Sequence, residues 1–233
     1  MHLAALVTGG KDSILALYRA QKLGHTIDVL ATMLPKRSDS YMFHFPNIHM
    51  TDYISSALEI PVVKAETSGI KEEELEDLKK LLATLDVDGV VSGAIMSSYQ
   101  RERIANICKE LGIISVTPLW HENPLDLMKE LIDLKFKVII IGVYAYGLDS
   151  GWLGKEINNE TLERLVELNR KYKISLVGEG GEYESLVLDT PFFKKRIEIV
   201  KAETTFENFR GILHIKQAKL VEKAKKNLQI NNA

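Results

Sequence analysis

The sequence holds one cysteine, Cys108, in 233 residues. A lone thiol cannot close an intramolecular disulfide or supply a cysteine-rich zinc site, and any mechanism that needs two thiols of one chain is excluded. A reducing, intracellular setting is the expectation, with cytoplasmic residence as the default. An excess of charge is missing too: 30 Lys plus Arg face 32 Asp plus Glu, a formal charge of -2. That balance gives no general attraction to nucleic acid or to an anionic membrane, so no direct nucleic-acid partner is expected, although a local basic patch could hide inside the total. No stretch of about 18 uninterrupted apolar residues occurs, so no membrane span is expected. A secretory pattern is also absent: a short apolar run over 1–7, without a basic segment, leads at once into Thr8-Gly9-Gly10-Lys11-Asp12-Ser13. Apolar residues themselves are plentiful, at 45%, which suits one large or two small packed domains and excludes disorder and fibrous repeats.

Strand-like apolar runs alternate with helix-period segments through the first half. Residues 3–7, 27–33, 61–65, 89–92 and 114–117 read as strands, and 12–23, 51–58, 72–85 and 98–111 as helices, with Gly24 and Gly112 closing two of them. A polar, aromatic-rich loop is expected over 35–46. Short strands and helices in alternation are the pattern of βαβ units around a parallel sheet. The expected fold is therefore α/β, an open five-stranded parallel sheet over 1–120 followed by a smaller α+β domain over 121–233. In that second part 125–134 and 161–172 read as helices, while 137–143, 185–188, 196–202 and 212–219 read as strands; the polar tail 223–233 is expected to fray. No Ser/Gly linker marks the boundary near Trp120, so the two parts should pack tightly and form a cleft. Large apolar runs in the second part also make a homodimer an expectation.

Thr8-Gly9-Gly10-Lys11-Asp12-Ser13 sits between an apolar strand and a helix, where unpaired backbone N–H groups face outward. The glycines let backbone approach an anion, Lys11 adds positive charge, and Thr8 and Ser13 add hydroxyl donors. Asp12 is out of place beside a polyphosphate unless it binds a divalent metal, Mg²⁺, that bridges the phosphates. The plain alternative is a turn with Asp12 as helix N-cap. Neither common nucleotide motif fits: a Walker loop needs Ser or Thr after the Lys, and Gly-x-Gly-x-x-Gly fails here and again at Gly178 and Gly180, because position 183 is Tyr.

Two further segments carry candidate chemistry. Gly93-Ala94-Ile95-Met96-Ser97-Ser98-Tyr99-Gln100-Arg101-Glu102-Arg103 follows the fourth strand and opens a helix, at the end of a parallel sheet where ligands bind. Small Gly93 and Ala94 would admit a nucleotide, and Tyr99, Gln100 and Arg103 lie in the first turns of the helix; alternatively Ser97 caps an ordinary helix with solvated arginines. Gly178-Glu179-Gly180-Gly181-Glu182-Tyr183-Glu184-Ser185 combines three glycines in four positions with three mutually repelling acids. Glu179 and Glu182 could bind metal or ammonium or orient an acceptor; otherwise this is an acidic surface turn.

The first hexapeptide resembles the Ser-Gly-Gly-x-Asp-Ser loop of the ATP pyrophosphatases, with Thr8 in place of Ser. Taken with Gly93-Ala94-Ile95, Tyr99-Gln100, Arg103, Leu111-Gly112, Pro118-Leu119-Trp120, the Gly178 to Ser185 segment and Asp189-Thr190-Pro191, the chain resembles the diphthine–ammonia ligase family. The resemblance implies an adenine nucleotide alpha hydrolase-like sheet and ATP-dependent amidation of diphthine, a modified histidine of elongation factor 2, by ammonium. It implies Thr8, Gly9, Gly10, Lys11 and Ser13 on the phosphates, Asp12 near Mg²⁺, and Gly93 and Ala94 along the nucleotide. It further implies Tyr99, Gln100 and Arg103 at the α-phosphate or the acceptor, and Glu179 and Glu182 steering ammonium and accepting its proton. Two rivals stand beside it, an enzyme class that shares the loop and a non-enzymatic sensor built on a similar sheet. A tRNA-modifying pyrophosphatase would often need the cysteine pair this chain lacks, and a nucleotide sensor would leave the acidic loop without a task. Cys108, with Ile104 and Leu111 at helical spacing, reads as a buried hydrophobe, which argues against an internal glutaminase.

Overall fold

The computed structural model describes residues 1–36, 47–70 and 72–223. The first half runs β1 (His2–Leu6), α1 (Lys11–Lys22), β2 (Thr26–Pro35), α2 (Met50–Leu58), β3 (Val62–Thr67), α3 (Glu73–Ala83), β4 (Gly89–Val91), α4 (Ser98–Leu111) and β5 (Ile114–Val116). The second runs α5 (Pro124–Asp133), β6 (Lys137–Val143), a 3-10 turn (Ser150–Trp152), α6 (Asn159–Tyr172), β7 (Tyr183–Asp189), β8 (Lys195–Glu207) and β9 (Arg210–Glu222). The five strands of the first half form one sheet in the order β3-β2-β1-β4-β5, with every pairing parallel. The α/β expectation and the strand count hold.

The central strands of that sheet are apolar on both faces because both are covered. Leu3, Ala5 and Val7 of the first strand segment point into a core with Ile14, Leu17 and Ile54 from α1 and α2. Ala4, one residue out of phase, points the other way, against Leu78 and Leu82 of α3 and Ile104, Ile107 and Cys108 of α4. The first of these cores does not stop at the end of the parallel sheet. It continues through Leu127 and Leu131 of α5 into Val138, Ile140, Leu186 and Val187 of the second sheet. The close packing expected of a chain without a linker is thus a shared apolar core.

The second sheet is antiparallel, in the order β7-β6-β9-β8. Its last two strands outrun the expected 196–202 and 212–219, with a ladder from Lys195 and Glu222 to Glu207 and Arg210. The polar, β-prone residues past 202 pair with a partner strand and need no buried face. Asn208 and Phe209 close this hairpin with φ of 50° and 61°, the two-residue turn that matches strand twist. In the expected aromatic loop, β2 takes in Pro35; residues 37–46, His44 among them, lie outside the described residues, as do residues 224–233 of the tail.

Candidate functional site

In the strand order β3-β2-β1-β4-β5 the chain turns one way after β1 and the other way after β4. The crevice at the carboxyl ends of such a pair is where open α/β sheets take ligands. The first two motifs leave the sheet there, side by side. A Cβ on Gly93 would stand 2.7 Å from the carbonyl carbon of Asp12 and 2.8 Å from its oxygen and from the nitrogen of Ser13. Gly93 is therefore required by backbone-to-backbone contact between the two turns.

Gly10 caps α1 with an extended backbone, φ -71° and ψ 158°, and without a capping side chain among the described residues. The Asp12 cap alternative is thereby corrected, because Asp12 lies inside the first turn. The third motif serves the turn instead: Ser185 Oγ accepts from the Lys11 N–H at 3.2 Å, and the Gly9 carbonyl accepts from the Val187 N–H at 2.9 Å. Gly9 has φ of 93°, a conformation that disfavours a side chain. Ser13 Oγ turns back to donate to the Gly10 carbonyl at 2.9 Å.

Lys11 is 2% exposed. Its amine donates to both carboxylate oxygens of Asp12, at 3.0 and 2.9 Å, and to the carbonyl of Val177. It also stands 5.3 Å from the centre of the Tyr183 ring. The positive charge of the first motif is thus held against the entrance to the third. Burial, reinforced by Asp12 and Glu182, pushes the Tyr183 phenol well above its usual range, so this ring is a neutral wall. Its hydroxyl donates to the Leu176 carbonyl at 2.6 Å.

The two expected ammonium-steering acids have different surroundings. Glu179 Oε1 accepts from the N–H groups of Ile95, Met96 and Ser97 at 3.0, 2.8 and 2.9 Å, and Oε2 from Met96 at 2.7 Å. Its carboxylate is seated on the turn that opens α4, where the helix dipole and three donors favour an anion. Glu182 Oε1 accepts from the Ser175 N–H at 2.9 Å, while its buried Oε2 has no hydrogen-bond partner among the described residues. Gly180 lies under it; a Cβ there would be 2.8 Å from Oε1.

Ser97 caps α4, accepting from the Gln100 N–H at 3.3 Å. On that helix the Arg103 guanidinium lies 3.4 Å from the Tyr99 ring centre and donates to Glu72 at 2.8 Å. Tyr99 and Arg103 therefore face α3, and the structure does not gather them with Lys11 and Glu179. Ala94 is buried beside Gly93 at the end of β4. A stacked group given no role from the sequence stands on the rim: Arg101 lies 4.6 Å over Trp120, which stacks on His121 at 4.4 Å. His121 is tied to the 95–97 turn by its N–H on the Ile95 carbonyl at 2.8 Å. The stacking of these three side chains is a three-dimensional fact that their sequence positions do not give.

Among the described residues no group of three or more His, Cys, Asp or Glu side chains is placed to hold a metal, and no helix is long and apolar enough to cross a membrane. A separate cavity of about 460 Å³, lined in part by Lys137, Glu156 and Arg196, contains none of the motif residues. Two family models match the chain, the diphthamide synthase N-terminal domain over residues 1–115 and the diphthamide synthase C-terminal domain over 123–221. Relatives named diphthine–ammonia ligase include a mouse protein, 35% identical with 94% of this chain and 92% of that protein covered, and a human one, 35% identical with 89% and 86% covered. A budding-yeast protein of that name is 33% identical; the match covers 86% of this chain but 35% of the yeast protein.

Proposed function

The chain belongs to the diphthamide synthase family, and on that premise we propose that it is the ligase that amidates diphthine on elongation factor 2 with ammonium, at the expense of ATP. A carboxylate is a poor electrophile and must first acquire a leaving group. Its oxygen attacks the α-phosphorus, pyrophosphate departs, and the resulting acyl-adenylate is attacked by ammonia, which displaces AMP and leaves the amide. One proton is lost from ammonium before attack and a second as the amide forms. Positioning and neutralisation of charge carry most of the acceleration.

In this reading residues 1–120 bind ATP, and 121–233 contribute the Gly/Glu-rich loop and the acceptor cleft. Thr8, Gly9, Gly10, Lys11 and Ser13 hold the phosphates, with Gly93 and Ala94 along the nucleotide. A single carboxylate, Asp12, at the first turn of a helix fits a magnesium ion carried on phosphate oxygens better than a cage built from protein ligands. Mg²⁺, when bound, supplies charge neutralisation there. Glu182, with one buried oxygen unused, is the group that takes the proton of ammonium, while Glu179 anchors the loop to the 95–97 turn. Tyr99, Gln100 and Arg103 serve the α-phosphate or the acceptor, and Arg103 does so by exchanging Glu72 for that ligand. An acceptor that is a translation factor puts the reaction in the cytoplasm.

The observation that carries the proposal is the convergence of all three motifs at the β1/β4 crevice, fastened by Lys11 on Val177 and Glu179 on residues 95–97. Incubation with ATP, ammonium and diphthine-bearing elongation factor 2 tests it. AMP is expected only when that acceptor is present, and Lys11→Ala should lower the yield at least about 100-fold. AMP formation that depends on tRNA, or none under any condition, would sink it.

A further inference from the structure

The hairpin of β8 and β9 leaves residues 200–210 exposed throughout. Its turn places Phe209 at φ 61°, a left-handed position that glycine or asparagine occupies without strain and that a bulky side chain occupies at a cost. Phe209 is nevertheless 56% exposed, so burial does not compensate that cost. It packs 5.4 Å from Tyr146, itself 63% exposed, and Tyr146 meets Tyr172 edge to face at 5.1 Å. One glycine makes room for the group, and a second for its neighbour Phe206 on the same hairpin. A Cβ on Gly147 would come within 2.8 Å of the Tyr172 ring, and one on Gly211 within 2.6 Å of the ring of Phe206. Strain retained at an exposed aromatic is a reason to look for a partner, and aromatic side chains are the residues that anchor protein interfaces.

The place of this platform identifies the partner. At the end of β6, Val143 pairs with Gly211 on one side and with Tyr183 on the other, and the next N–H, of Tyr144, donates to the Glu182 carbonyl at 2.8 Å. The hairpin tip and the Gly/Glu-rich loop therefore flank one strand, two strand spacings apart, roughly 10 Å. A diphthine side chain that reaches Glu182 belongs to a folded protein too large for the crevice, so the surface around that side chain must rest on the rim. We propose that Tyr146, Phe209 and Tyr172 form the docking platform for the protein that carries diphthine, a deepening that rests on the function proposed above.

The test varies the concentration of diphthine-bearing elongation factor 2 for the wild type, Phe209→Gly and Tyr146→Ser, and follows AMP, thermal unfolding, ATP binding and sedimentation. The platform predicts a KM for the protein acceptor about tenfold higher in each variant, with kcat at saturation and ATP affinity unchanged. Phe209→Gly should unfold at the same or a higher temperature, because glycine relaxes the turn. A merely structural role would lower stability and kcat together, and that result overturns the proposal. So does an unchanged KM, including the case in which the variants turn a dimer into a monomer and the platform is a contact between two copies. A wild type that releases no AMP would sink the proposed function instead. Sedimentation of the factor with wild type and variants would then still decide the platform: equal binding overturns it, and binding about tenfold weaker in the variants supports it.

Discussion

At the carboxyl ends of β1 and β4 the parallel sheet presents donors, namely the Lys11 amine, the first N–H of α1 and the N–H groups of residues 95–97. Facing them, the stretch from α6 into β7 presents acceptors, namely the Val177 carbonyl, Ser185 Oγ and the Glu179 carboxylate. One half of the molecule gathers donors, and the other half supplies most of the oxygens that satisfy them, with Asp12 beside Lys11 the exception. Buried donors without partners are costly, so a donor-rich crevice needs such oxygens to be stable on its own. Under the proposed function, ATP binding at this crevice would therefore exchange oxygens for oxygens.

The glycines of the two halves offer the sharpest way to break that comparison. Gly93→Ala drives a Cβ into the Asp12 and Ser13 backbone, which has no rotamer with which to yield. A loss of about 3 kcal/mol in stability is expected, together with loss of AMP formation. In the other half, Gly181 has φ of 80° and open space around its missing Cβ, so Gly181→Ala should cost only about 1 kcal/mol. Calorimetry on both variants separates steric from conformational need; equal costs would mean that the two turns are not in the tight contact described.

The parallel sheet and its order of elements were legible because period and punctuation act locally: the central strands are apolar on both faces, and each helix carries its own stripe. The full length of the hairpin is not legible in the sequence, because the residues past 202 are polar and their pairing is a long-range fact. At the site the motifs were legible as segments but not as contacts. Glu179 and Glu182 look equivalent three residues apart, yet one meets three N–H groups of a turn more than eighty residues away and the other meets Ser175. Arg103, chosen from its place in a helix, faces Glu72, a direction that helical spacing alone does not give.

Glu179 is the largest single acceptor of the antiparallel half, and its removal should show how firmly that half holds the donors. Glu179→Ala takes away four hydrogen bonds and an anion at a helix N-terminus. A loss of about 2 kcal/mol in urea unfolding is expected, since water can reach part of the turn and re-solvate its N–H groups. Glu179→Gln keeps one acceptor oxygen and should recover about half of that. If both variants unfold like the wild type, the carboxylate is not what joins the loop to the turn.

The smallest effect is expected on the face of the parallel sheet that neither half of the crevice touches. Cys108 packs there with Leu78 and Ile104, and burial pushes its thiol from 9.0 up to about 11. The folded protein therefore keeps a proton that the unfolded chain releases as the pH passes 9.0, so this group contributes nothing to the pH dependence below that point and costs stability as the pH rises from 9.0 toward 11. Cys108→Ala should remove that part of the decline, most visibly between pH 9 and 10, before tyrosines of the unfolded chain ionise. At pH 8 the native thiol should react with iodoacetamide about 100-fold more slowly than an exposed cysteine, with amidation undisturbed. Fast alkylation accompanied by loss of activity would instead bring the thiol into the chemistry and reopen the possibility that the chain makes its own ammonia from an amide donor.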